Sequence, residues 1–111
     1  MSTPPPAIPA SMTEALSGLW RKFLPDIELR VGLVEAAAKA LESNSLSREQ
    51  REEAHDAAHK LAGILGTFSL PHGTDLARNA ECLLAEEISP ASATELNAWV
   101  RELRLMVNGK Q

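Results

Sequence analysis

Residues 47–68 read SREQREEAHDAAHKLAGILGTF, one helix written out from its cap to its last apolar residue. Ser47-Arg48-Glu49-Gln50 has the capping-box form, in which a serine side chain and a glutamine three residues on satisfy each other's free backbone amides. Ala54, Ala57, Ala58, Leu61, Ile64, Leu65 and Phe68 then recur at spacings of three and four, the period of a helix with one buried face. The opposite face carries His55, Asp56 and His59 and is interrupted by Gly63 and Gly66.

The same signals recur on either side. Ser11-Met12-Thr13-Glu14 is a second capping box, followed by Met12, Leu16, Leu19, Trp20 and Phe23 up to an interruption at Pro25. Asp26 is placed to cap a further stretch with Ile27, Val31, Val34, Ala38 and Leu41 on one stripe, broken by Ser43-Asn44-Ser45. Pro71-His72-Gly73 reads as a turn, after which Thr74 opens a helix with Leu76, Ala80, Leu83 and Leu84. Ser89-Pro90 puts proline at the first position of the last helix, whose stripe is Leu96, Trp99, Val100, Leu103 and Val107. Helices are thus expected near 12–24, 27–43, 48–69, 74–87 and 90–107. The class is all-α: an antiparallel four-helix bundle over residues 11–108 with an additional N-terminal helix. Residues 1–10, with Pro4, Pro5, Pro6 and Pro9, are expected to form a flexible lead-in, and the residues after Val107 a short tail.

Composition agrees. The 111 residues include 17 Ala and 16 Leu but only 4 Val, 4 Ile and no Tyr, a mixture that suits helix and starves a sheet. One domain is all this length supports. A net charge of −4 and a pI near 5.3 argue against nucleic acid and anionic membrane as partners. No apolar run approaches the roughly 20 residues of a membrane span. The N-terminus lacks a signal-peptide pattern, and the lone Cys82 cannot form an internal disulfide, so a cytoplasmic location is expected.

The polar face of residues 48–68 is the unusual one. At about 100° per residue His59 lies roughly 160° from Leu61, away from the core stripe. Beyond it on the C-terminal side the residues at three, four and seven positions are Ala62, Gly63 and Gly66. Two glycines inside a helix each cost about 1 kcal/mol relative to alanine. They make sense if a partner must approach the imidazole and side chains there would obstruct it.

Residues 58–68, from Ala58-His59-Lys60-Leu61 through Gly63 and Gly66 to Phe68, resemble the phosphoacceptor motif of histidine-containing phosphotransfer (HPt) domains. These show a histidine, a leucine two residues on, a glycine four on and small residues beyond. Leu76 to Glu81 resembles the family's next helix. The resemblance covers about residues 11–107 and implies a phosphorelay carrier. His59 would accept a phosphoryl group at Nε2 from an aspartyl phosphate on a receiver domain and pass it to another. The implied partners are a response-regulator receiver domain and/or a hybrid histidine kinase, met by a monomer. Magnesium would come from the receiver, with no cofactor on this chain. The family's usual lysine three residues after the histidine is replaced by Ala62, which leaves Lys60 or a partner's cations to stabilise the phosphoryl charge.

Other readings concern the same residues. Asp56, one turn before His59, is a candidate to orient the imidazole, with water the alternative, and Asp56 and Arg78 are candidate partner contacts. A non-catalytic helical adaptor for receiver domains would use the same fold. His55 and His59 at i, i+4 parallel two ligands of a zinc site, but His72 is the only other histidine, so no metal site is assigned. No ATP-binding domain or glycine-rich nucleotide loop accompanies these residues, so ATP-dependent kinase activity is not expected of them.

Overall fold

A computed structural model describes residues 10–86 and 88–110, so most of the expected proline-rich lead-in lies outside the described residues. Four helices account for the rest: α1 (Ala10–Glu42), α2 (Arg48–Thr67), α3 (Pro71–Ala85) and α4 (Ala93–Gly109), the last preceded by a 3-10 turn at Pro90–Ser92. α1 packs on α2 and α4, and α3 packs on the same two. No strand occurs among the described residues. None of their helices is long and apolar enough to cross a membrane.

The separate N-terminal helix expected before Pro25 does not exist. α1 runs through Pro25 without ending, and Asp26, expected as a cap, instead accepts a hydrogen bond from Arg30 Nε inside the helix at 3.0 Å. A proline in a helix interior removes one hydrogen bond and crowds the preceding turn, at a cost of about 3 kcal/mol. Burial on one continuous stripe opposes that cost. Trp20, seven residues before Ile27, shares its face and joins Val31, Val34, Ala38 and Leu41 in the core. Its ring meets Phe68, the C-cap of α2, edge to face at 5.1 Å, and Phe23 meets the same ring at 6.1 Å. Pro25 itself is exposed, as is Arg21, the residue whose carbonyl it cannot serve. Ser11 likewise lies within α1, not at its cap.

The other ends fall closer to expectation. Asn44, at φ 53°, ends α1 in the left-handed region, with Ser45 N–H donating back to Ala40 O at 2.7 Å. Ser69, at φ 56°, ends α2 in the same way, with Leu70 N–H donating to Leu65 O at 3.0 Å. The capping box at Ser47 forms as read, Gln50 N–H donating to Ser47 Oγ at 3.0 Å. Pro71-His72-Gly73 is not a turn: Pro71 occupies the first position of α3 and Gly73 is buried in its first turn. A Cβ on Gly73 would lie 2.7 Å from Met106 Sδ and 3.2 Å from Leu65 Cδ1, so this glycine lets α3 approach α4 and α2. α4 continues past Val107 to Gly109, two residues beyond the expected end.

One core joins all four helices, with Ile27, Leu61, Leu65, Leu84, Leu96 and Leu103 fully buried. Arg104 ties α4 to α1 through both carboxylate oxygens of Glu35, at 3.1 and 3.3 Å. Arg51 of α2 donates through Nε to Leu84 O at 2.7 Å and through its terminal nitrogen to Glu86 O. The last turn of α3 and its C-cap, Glu86, thereby gain partners for carbonyls that no further helical residue could serve.

Candidate functional site

α2 and α3 run antiparallel along a shared groove. Arg51 reaches the C-terminal end of α3, and Gly66, near the end of α2, faces Thr74 in the first turns of α3. Between these points His59 stands opposite Glu81.

The His59 side chain is 72% exposed, on the rim of that groove. Its Nδ1 lies 2.9 and 3.0 Å from the two carboxylate oxygens of Glu81, whose own side chain is 22% exposed. A carboxylate only accepts, so Nδ1 is the donor and carries the ring proton. In the neutral ring Nε2 is then left with its lone pair.

Asp56 does not perform this task. Its side chain is 77% exposed and its Oδ1 lies 3.6 Å from Nδ1 of His55, not beside His59. The sequence offered Asp56 because it is one turn away on the same helix, whereas Glu81 is 22 residues distant and is brought in by helix pairing. The usable signal was the pairing of two amphipathic helices, which fixes no side-chain register by itself.

The bare floor beyond His59 is present with one change. Gly63 is exposed, and a Cβ there would meet nothing within 4 Å. Gly66 is exposed too, and its Cβ would meet only Thr74 Oγ1 at 3.8 Å, an ordinary contact. Neither glycine is needed for packing. Ala62, read as part of that open surface, is only 6% exposed and belongs to the core, because α3 covers its side of α2.

Lys60 is exposed, 100° around the helix from His59. Arg78 is exposed on α3 and lines the groove with Gly66 and Thr74. His72 sits at the start of α3, its Nε2 3.9 Å from Glu102 of α4. Among the described residues no three His, Cys, Asp or Glu side chains converge as metal ligands would.

The sequence matches the family described as the Hpt domain over residues 18–109. The chain belongs to the Hpt domain family. Protein RcaC of Microchaete diplosiphon is 31% identical over 91 residues, which are 80% of this chain and 14% of that protein. The chain therefore spans about one seventh of the relative's length. No solved structure matches it at a significant level. Hpt domains are the phosphorelay carriers of two-component signalling. The Hpt match takes in most of α1 and all of α2, α3 and α4, so the His59–Glu81 pair lies inside it.

Proposed function

We propose that His59 is the phosphoacceptor of this Hpt domain, on a scaffold that works as an antiparallel four-helix bundle. Nε2 attacks the phosphorus of an aspartyl phosphate on a receiver domain. The N–P bond forms as the P–O bond to aspartate breaks, and the electron pair leaves with the aspartate carboxylate. The phosphorylated ring, with Nδ1 still protonated, carries positive charge that the Glu81 carboxylate offsets. The return step reverses these changes onto a second receiver.

The observation that carries this reading is the clamp of Glu81 on Nδ1, which leaves Nε2 free on an exposed face. Gly63 and Gly66 keep side chains out of the approach path, as in-line transfer requires. The receiver supplies the magnesium ion that neutralises the transferring group, and this chain supplies the nucleophile and its orientation.

The test is incubation with a phosphorylated receiver domain. The chain is expected to acquire an acid-labile, base-stable phosphoryl group that His59→Gln abolishes and His55→Gln preserves. Tight receiver binding without any such group would make the chain an adaptor and end the carrier reading.

A further inference from the structure

A phosphoryl group on Nε2 of His59 would bring about two negative charges onto a surface whose nearest acidic group, Glu81, is already occupied with Nδ1. Charge of that kind calls for a cation beside its oxygens. On α2 position 62 cannot provide one, because it is an alanine, uncharged and buried in the core. Lys60 lies a quarter turn and more around the helix, on the side away from α3.

The pairing of α2 with α3 supplies a different candidate. His59 faces Glu81, and Gly66 faces Thr74. Moving one turn from His59 toward Gly66 reaches Ala62; moving one turn from Glu81 toward Thr74 reaches Arg78. Arg78 therefore stands across the groove from Ala62, about 4.5 Å along the axis from the level of His59. Its extended side chain, guanidinium included, is longer than that offset. On the α2 side the residues at the level of Arg78 are Ala62 and Gly63, a small side chain and none, and a Cβ on Gly63 would meet nothing within 4 Å. Arg78 itself lines the stretch of groove beside Gly66 and Thr74, so its guanidinium turns back along the groove to reach His59. Among the described residues Arg78 holds no ion pair, although Asp75 and Glu81 are one turn away on either side of it along α3.

We propose that Arg78 is the cation of the phosphorylated site: its guanidinium lies along the α2–α3 groove and donates to the phosphoryl oxygens on His59 Nε2. The fork of N–H groups suits a phosphoryl group better than a point charge does. The arrangement moves the stabilising cation from the nucleophile's helix to its neighbour. The inference rests on phosphorylation of His59 but not on any particular donor.

Phosphoramidate tests it without a partner protein. Nε2 displaces ammonia from phosphorus, so the N–P bond of the reagent breaks as the new one forms. The readout is the half-life of phosphohistidine at position 59, followed by phosphorus NMR with His59→Gln as the blank. Because the guanidinium stabilises the dianion more than the loose, less charged transition state of hydrolysis, Arg78→Ala is expected to shorten the half-life about fivefold. Arg78→Lys should recover part of that loss, and Lys60→Ala should leave the half-life unchanged. An unchanged half-life in Arg78→Ala, with weaker binding to a receiver, would make Arg78 a docking residue and overturn the proposal. An Arg78-dependent half-life in a phosphoprotein that no receiver discharges would keep this contact and remove the carrier reading instead.

Discussion

Nδ1 of His59 lies within 3.0 Å of both carboxylate oxygens of Glu81, a contact that joins α2 to α3 and selects one tautomer of the imidazole. Selection of the tautomer and exposure of the ring are separate properties, supplied by different helices. Glu81→Ala should leave the fold intact, because a partly exposed pair of this kind contributes about 1 kcal/mol or less to stability. Transfer to His59 should fall about tenfold, equivalent to about 1.4 kcal/mol of lost orientation and charge stabilisation. Glu81→Gln, whose amide oxygen still accepts from Nδ1–H, should fall between the two. Nitrogen NMR of the ring checks the cause: the proton should reside on Nδ1 in the native protein and in Glu81→Gln, and shift toward Nε2 in Glu81→Ala.

Gly63 and Gly73 serve opposite purposes, and the same substitution at each separates them. Gly63→Gln meets open space, so the protein should be as stable as the native one or more so by about 0.5–1 kcal/mol from helix propensity. Transfer to His59 should nevertheless drop steeply, because the receiver's approach is blocked. Gly73→Gln must displace Met106 and crowd Leu65 in the core, at a cost of about 2 kcal/mol. Its transfer per folded molecule should be near normal. Chemical denaturation and receiver assays on both variants check this, and normal transfer in Gly63→Gln would remove the steric reason for the glycine.

What the sequence made legible followed from period and from caps. The buried face of α2 and the box at Ser47 are local patterns, and each formed where its spacing placed it. The exposed imidazole and the two open glycines follow from the same wheel. Glu81, Arg51 and Gly73 were not legible, because each acts on a residue of another helix and depends on the register between helices. Ala62 was misplaced for that reason too. A single wheel gives its angle from His59 but not that α3 closes over it.

The Glu35–Arg104 pair sets an acid limit on the seam between α1 and α4. The hydrogen bond from Arg104 holds the Glu35 carboxyl below its ordinary value of 4.5, with the charges of Arg104 and Lys39 acting in the same direction against desolvation. A group whose folded pKa is depressed contributes stability above its unfolded value and loses it as pH falls through the folded one. The contribution is therefore complete above about pH 4.5 and declines below it. Both partners are about one-third exposed, so solvent screening keeps it near 0.5 kcal/mol. Glu35→Gln should be less stable than the native protein by about that much at pH 7 and low salt. The difference should shrink toward pH 3 and in high salt, as thermal melts of the two proteins across pH can show.

Pro25 tests why α1 is one helix. The proline leaves a carbonyl without its usual donor, yet the helix continues because Trp20 and Ile27 occupy one stripe against a shared core. Pro25→Ala restores the missing hydrogen bond and relieves the crowding at the preceding turn. Part of the gain is offset because alanine gives the unfolded chain more freedom. The net expectation is stabilisation by about 1–2 kcal/mol, with no change in transfer to His59. Trp20→Ala should act in the opposite sense, with a cost of about 3 kcal/mol as the edge contact with Phe68 and its buried surface are lost. Combined with Pro25, that loss should release the segment before residue 25 from the core, which amide hydrogen exchange over residues 12–24 would detect. In Trp20→Ala/Pro25→Ala the same amides should regain protection, because the helix no longer depends on packing to cross position 25. Equal exchange in Trp20→Ala and the double variant would show that proline is not what makes this segment depend on its tryptophan.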